Sequence, residues 1–312
     1  SRGATLKGEW AMIDFGRARE IRLKSPAKIN LSLNILGSRS DGFHEIETRV
    51  QQVSLFDDIR IRPASGVIRV SADCRDVPSG KQNLAYQAAA ALREAAGAGR
   101  LGASIYLKKN IPSGAGLGGA SGNAAAVLWA LNKLWALKFP PLALSRIAAG
   151  VGSDVPLFLS GTASMCRGRG ELVSRCAPLR TGWILLIKPP FSLPTPRVYG
   201  WMRKYLKKER RTSRIGVRPG NLRIQEFRND LELVVFERHP VLNECRDALL
   251  SSGARVALMS GSGTAMWGLF RRRTDAVAAA IKFASKRGWR VFLVRSLVSS
   301  PLALSSLEID II

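Results

Sequence analysis

Apolar and polar residues alternate one for one in Ile59-Arg-Ile-Arg62, and Val67-Ile-Arg-Val70 and Ala103-Ser-Ile-Tyr-Leu107 carry a similar period. Successive side chains of a strand project to opposite faces, so these segments predict strands with one wet face. Elsewhere the spacing lengthens. Residues 83–96 are alanine-rich with helical spacing. Residues 123–135 set Val127, Leu131, Leu134 and Trp135 on one face, which predicts an amphipathic helix. After Pro189-Pro190 the pattern predicts helices over 229–236 and 274–286, and strands over Val256–Met259, Met266–Phe270 and Arg290–Val294. No internal repeat is visible. Strands and helices mixed in both halves predict an α+β sandwich for each, with the domain boundary near 177–180.

Composition narrows the class. The 312 residues are long enough for two domains, and 46% hydrophobic with 23% charged residues is a globular composition that excludes intrinsic disorder. No run of about 18 uncharged apolar residues exists, so no membrane span is expected. The first ten residues have no apolar core like that of a signal peptide, which points to the cytoplasm. Four scattered cysteines and two histidines suit neither a disulfide framework nor a zinc site. Buried thiols in a reducing compartment are expected instead.

The charge is the odd feature. There are 48 basic residues against 23 acidic ones, a formal net charge of +25. Residues 1–178 hold 24 basic and 13 acidic residues, and the rest hold 24 and 10, so the excess is spread along the chain. Residues 203–218 carry eight cations and Glu209 alone, and read as a loop or frayed helix end. Only Tyr205 there offers a stacking platform, whereas single-strand binders combine aromatics with charge. A solvated insertion is the plainer reading; a nucleic-acid or anionic-surface patch is the alternative. Arg271-Arg272-Arg273 is a shorter signal of the same kind.

The strongest local signal is Pro112-Ser113-Gly114-Ala115-Gly116-Leu117-Gly118-Gly119-Ala120-Ser121-Gly122, which follows a predicted strand and leads into the helix that begins at Asn123. Glycines let backbone approach a phosphate closely, and a helix N-terminus adds unpaired N–H groups and partial positive charge. Gly114 to Gly119 fits the spacing of a dinucleotide fingerprint, but no Asp or Glu lies between Gly119 and Asp154 to hold a ribose. A Walker loop is excluded because no Gly-Lys-Ser/Thr closes the segment. Asp14-Phe15-Gly16 imitates a protein-kinase element without the His-Arg-Asp that should precede it.

The loop resembles the phosphate loop of the GHMP small-molecule kinases. Pro26-Ala-Lys28-Ile-Asn30-Leu and Asp41-Gly-Phe43-His44 narrow the resemblance to the 4-diphosphocytidyl-2-C-methyl-D-erythritol kinases. Gly152-Ser-Asp154-Val-Pro156, Gly168-Arg-Gly-Glu171, Asn229-Asp-Leu-Glu232 and Met259-Ser-Gly-Ser-Gly263 continue it in order. The resemblance covers about Ser25 to Phe270. It implies a two-domain GHMP kinase fold of α+β class. Residues 1–178 would form an N-terminal domain like domain 2 of ribosomal protein S5, and 179–312 a ferredoxin-like C-terminal domain. It further implies phosphorylation of a tertiary hydroxyl, the 2-hydroxyl of a cytidine diphosphate-linked methylerythritol, in the non-mevalonate isoprenoid pathway. ATP would be the co-substrate, with Mg2+, in a monomer or homodimer.

The resemblance assigns Lys28 and Asp154 to catalysis. Phosphoryl transfer passes through a loose transition state, so such a pair mainly positions groups and balances charge. Read alone, Asp154 could instead cap a helix that opens at Val155-Pro156, and Lys28 could be an ordinary surface lysine. Phe43 and His44 are expected at the cytosine, Tyr199 with Thr195 at a second stacking wall, and Asn30 at the reacting alcohol. Residues 112–122 and Asn123 should take the ATP phosphates, with Asn83 and Lys109 by the adenine. Departures from the family pattern are Ala120, Gly122, which lacks a hydroxyl that could bond phosphate, and Phe43 for the usual Tyr. A GHMP kinase for another small alcohol, and a basic polyanion binder on a kinase scaffold, stay as alternatives.

Overall fold

The computed structural model describes residues 18–74, 76–180, 182–209, 226–302 and 308–311. Two long strands, β1 (Ala18–Ser38) and β2 (His44–Ser65), pair antiparallel along nearly their whole length. Beyond them run β3 (Ile68–Ala72), α1 (Leu84–Ala95), β4 (Leu101–Lys108), α2 (Gly119–Leu134), α3 (Pro141–Val151), α4 (Val155–Ser160), β5 (Ala163–Gly168) and β6 (Leu172–Arg175). One half of β2 pairs with β4 and the other with β5, so the two long strands carry an eight-stranded sheet. β8 (Arg228–Asn229) and β12 (Glu308–Ile311) return from the distal half of the chain to pair with β1.

The rest folds around a four-stranded sheet of order β11-β7-β10-β9. Its strands are β7 (Trp183–Lys188), β9 (Val256–Met259), β10 (Met266–Phe270) and β11 (Arg290–Val294), with α5 (Thr195–Glu209), α6 (Glu232–Arg238), α7 (Pro240–Ser251) and α8 (Arg273–Ala284). A buried apolar layer joins the two sheets: Ala27, Ile29 and Leu31 of β1 pack with Ile184, Leu258 and Trp267.

The strands expected over Val256–Met259, Met266–Phe270 and Arg290–Val294 are β9, β10 and β11. Ile59 and Ile61 turn into the core while Arg60 and Arg62 stay wet, as the alternation requires. Two helix expectations need correction. α2 starts at Gly119, four residues early, and is buried on nearly every side because it runs between β1, β2, α1, α3 and α4. Its alanines, from Ala124 to Ala126 and at Ala130, permit that close packing, so its single apolar face was the wrong inference. At 229–236 the helix begins only at Glu232, because Asn229 belongs to β8. Asn229 Nδ2 donates to the carbonyls of Met259 and Gly261, and Asp230 accepts from Ile35 N at 2.8 Å. In the basic run, 203–209 lies in α5, and 210–218 lies outside the described residues.

A bulge in β1 between Asn30 and Ser32 shifts side-chain parity. Lys28 and Asn30 therefore face the same cleft as Leu33, while His44, Ile46, Thr48 and Val50 reach it from β2 with ordinary period two. Opposite them, the segment after β4 is tied down by Asp57, which is fully buried. One oxygen accepts from Asn110 N and Ile111 N, each at 2.8 Å, and the other pairs with the Lys109 ammonium. Removing one partner of a buried pair strands the other charge, so Asp57→Ala should lower unfolding free energy by about 3–5 kcal/mol. Denaturant titration, read as a fallen midpoint at unchanged m, tests this.

Candidate active site

Between the sheets opens a cleft of about 780 Å3. The glycine loop forms one wall, and its conformation is dictated from both sides. Gly116 and Gly118 have φ of 74° and 70°, in the left-handed region that side chains disfavour. A Cβ on Gly116 would come within 2.0 Å of the Ser260 carbonyl oxygen, and one on Gly118 within 2.9 Å of Lys28 Cγ and Phe158 Cζ. Three successive loop carbonyls are occupied by protein: Ala115 O by Ala265 N, Gly116 O by Ser260 Oγ, and Leu117 O by Lys28 N. The first amides of α2 have no intrahelical acceptor, so an anion in the cleft meets N–H groups there.

Lys28 lies under this loop, only 5% exposed. Its Nζ donates to Asn30 Oδ1 at 2.7 Å and stands 3.9 Å from Asp154 Oδ2. Asn30 Nδ2 donates in turn to Thr48 Oγ1 at 2.8 Å, and Thr48 Oγ1 to Ser32 O, so the amide is held in one orientation. Asp154 sits ahead of α4, yet its side chain makes no capping hydrogen bond. It keeps 45% of its side-chain surface exposed. The capping role that the sequence allowed is not taken up.

At the far end His44 and Tyr199 face each other with ring centroids 5.3 Å apart and a 43° tilt. Burial, and then the Arg203 charge, push the imidazole below the usual histidine range. His44 Nε2 is buried without a hydrogen-bond partner. Buried polar atoms are seldom left so, which marks this nitrogen as a place for a ligand's donor or acceptor. Burial also raises the Tyr199 phenol above its ordinary value. Phe43 is half exposed, with the Arg169 guanidinium 4.8 Å from its ring centre. Thr195 Oγ1 shares a 2.9 Å hydrogen bond with Ser262 Oγ, linking α5 to the glycine turn after β9.

Of the residues picked from sequence, all but one line this cleft: Lys28, Asn30, Phe43, His44, Asn83, Lys109, residues 112–121, Asn123, Asp154, Thr195 and Tyr199. Gly122 does not. A Cβ there would meet Ser25 Oγ at 2.7 Å and Pro26 O at 3.0 Å, so the position faces β1. The hydroxyl it lacks would not have pointed at a phosphate. Ala120 lies within α2, where its methyl meets no positive φ. Asn83 caps α1 through Ala85 N and donates to Pro78 O, so its polar atoms are already engaged.

Sequence reasoning passed over Arg169, Arg203, Asp76 and Thr48, which also line the cleft. Arg169 stood inside the Gly168-Arg-Gly-Glu171 block, and only the fold of the β5–β6 turn aims it at Phe43. Arg203 was one cation among eight. It now bonds the Gly42 carbonyl, across 161 residues of chain. Glu232 was missed as a support: its carboxylate accepts from Met259 N at 2.7 Å, and burial pushes its pKa up to about 7.

Family profiles match both halves, "GHMP kinases N terminal domain" over residues 83–162 and "GHMP kinases C terminal" over 216–287. The 4-diphosphocytidyl-2-C-methyl-D-erythritol kinase of Syntrophomonas wolfei is 38% identical over 293 residues, covering 90% of this chain and 99% of that protein. A crystal structure of 4-(cytidine 5'-diphospho)-2C-methyl-D-erythritol kinase aligns at a TM-score of 0.69 and 32% identity, covering 88% of this chain and 98% of its own. A homoserine kinase from Cytophaga hutchinsonii reaches the same TM-score at only 18% identity, covering 96% of this chain and 98% of that one; it shares the fold. With identity of that level spread over nine-tenths of its length, this α+β chain belongs to the 4-diphosphocytidyl-2-C-methyl-D-erythritol kinase family of the GHMP kinases.

Proposed function

We propose that this kinase transfers the terminal phosphoryl group of ATP to the 2-hydroxyl of 4-diphosphocytidyl-2-C-methyl-D-erythritol. The observation that carries the reading is the buried Lys28, 3.9 Å from an uncapped Asp154, directly beneath the glycine loop. The loop and the first turn of α2 take the phosphates. Lys28, fixed by Asn30, neutralises charge that spreads over the transferring group's oxygens. Asp154 orients the acceptor hydroxyl and receives its proton late, when the new O–P bond has acidified it. Asn30 helps hold that hydroxyl, and Lys109 stands behind the loop near Gly119.

Cytosine is read by His44 Nε2 and enclosed by Phe43 and Tyr199; such base–aromatic stacking contributes roughly 1–3 kcal/mol per base. Magnesium enters with ATP. The described residues contain no group of three or more His, Cys, Asp and Glu suited to a metal. Magnesium keeps several waters and takes most of its ligands from substrate phosphates, so it needs few from the protein. Asp154 would supply the hard oxygen from the protein, and the bound ion would neutralise phosphate charge. Among the described residues no helix is long and apolar enough to cross a membrane. Transfer from ATP to a hydroxyl of a water-borne diphosphate compound, by a protein with four free thiols, suits the cytoplasm.

Coupled ADP release over a panel of the cytidine diphosphate substrate, homoserine and mevalonate should give turnover with the first alone; turnover with another alcohol instead defeats the assignment. Asp154→Asn should then lower kcat by about 10²–10⁴-fold while the folded enzyme still binds nucleotide. The His44 contact predicts a pH effect. Because its pKa is depressed, His44 is neutral at pH 7 and protonates only below the ordinary value of about 6.5. KM for the cytidine substrate should stay flat through neutrality and rise on further acidification. In His44→Phe, KM should be high throughout, with the acid limb lost.

A further inference from the structure

Residues 271–295 carry eight cations, and Asp275 is the only acid among them. Among the described residues none of these cations lies within salt-bridge distance of a carboxylate. Folding brings Arg273, Lys286, Arg290 and Arg295 onto aromatic rings. The guanidiniums of Arg295 and Arg273 lie 4.9 and 5.6 Å from the ring centre of Trp183. The Lys286 ammonium is 4.9 Å from Trp289, and Arg290 is 5.1 Å from Phe292. All four cations are exposed and the three rings are half-buried.

Register explains the cluster. Val294 pairs with Ile184, so Arg295 emerges beside Trp183, and Phe270, which pairs with Trp183, leads straight into Arg271-Arg272-Arg273. β11 is the edge strand of its sheet, and α8 packs against it, so the cations form one ledge along that edge. It lies outside the cleft, whose lining includes none of these residues. A guanidinium over a ring loses less freedom when it binds phosphate. Arg290 also donates to Asn110 O at 2.9 Å, so Arg273 and Arg295 over Trp183 are the guanidiniums most open to a ligand. The 203–208 stretch of α5, by contrast, has no ring beneath any of its cations among the described contacts.

We propose that the α8–β11 edge is a docking surface for single-stranded nucleic acid, with the ring-supported cations on phosphates and the Trp183 and Trp289 rims against bases. Charge complementarity and interleaved aromatics argue for a polynucleotide over a lipid surface, which needs charge but no stacking.

The test is fluorescence anisotropy of the full-length protein with a labelled single-stranded RNA of roughly a dozen nucleotides, at salt from about 50 to 200 mM. Wild type should bind with log K falling as log salt rises, at about 0.7 per phosphate contacted. The pair Arg273→Glu and Arg295→Glu should weaken binding by at least about 10-fold and flatten the slope by about 1.4. The control pair Lys207→Glu and Lys208→Glu should change neither, and all variants should retain ADP release. Three results would overturn the proposal: no binding at low salt, equal losses from both pairs, or RNA binding that survives in the ledge pair. The third includes the case where that pair loses only binding to phosphatidylserine-containing vesicles.

Discussion

The cleft depends on one steric constraint: there is no room for a side chain at Gly116 or Gly118. The loop is held from two directions, by β1 through Lys28 N and by the turn after β9 through Ser260 and Ala265. Those contacts use its carbonyls and bring the Ser260 carbonyl oxygen and the Lys28 stem within reach of where a methyl would sit. The same closeness puts the Lys28 ammonium below the loop and 3.9 Å from Asp154. The loop's conformation, the Lys28–Asp154 approach and the joining of the two sheets are thus one packing event. Gly122 adds to it from the other face, letting α2 lie directly against Ser25 and Pro26.

Charge is distributed with more discrimination than a total of +25 suggests. Lys28, Lys109, Arg169 and Arg203 line the cleft against Asp76 and Asp154. Lys109 is largely answered by the buried Asp57, which uses it to fix the loop's approach. Arg203 bonds the Gly42 carbonyl and so ties α5 to the turn that carries Phe43 and His44. The cleft therefore takes up only a small share of the excess. Of the remainder, the exposed cations of the α8–β11 edge form the ledge described above.

Much was legible in the sequence because local chemistry left few alternatives. Glycines crowded at a strand-to-helix junction describe the same chemistry in any orientation of the domains, although Gly119 and Gly122 prove to lie inside α2. β9, β10 and β11 could be read because runs of four or five residues bounded by turns are too short for a helix. α2 could not be read correctly. Its alanines look like a weak apolar face in isolation, and only the packing of β1, β2, α1, α3 and α4 around it shows that they serve close approach on all sides. Asn229 looked helical for a similar reason: its place in β8 is set by carbonyls 30 and 32 residues away.

By itself, then, the sequence determined the glycine loop and the mixed α+β character, and its resemblance to the kinase family supplied the reaction class and singled out Lys28 and Asp154. The glycine loop and the mixed elements rest on residue types at short spacing, which fixes local geometry; the meeting of Lys28 with Asp154, far apart along the chain, does not. Tertiary structure decided what depends on long-range register. It chose the uncapped state of Asp154, turned Gly122 away from the cleft, and shifted parity at the β1 bulge so that Leu33 joins Lys28 and Asn30. It also brought Arg203 to Gly42 and set Arg273 and Arg295 over Trp183, pairs separated by 161, 90 and 112 residues. No local pattern encodes such meetings, because strand pairing and the burial of whole faces determine which distant residues share a surface.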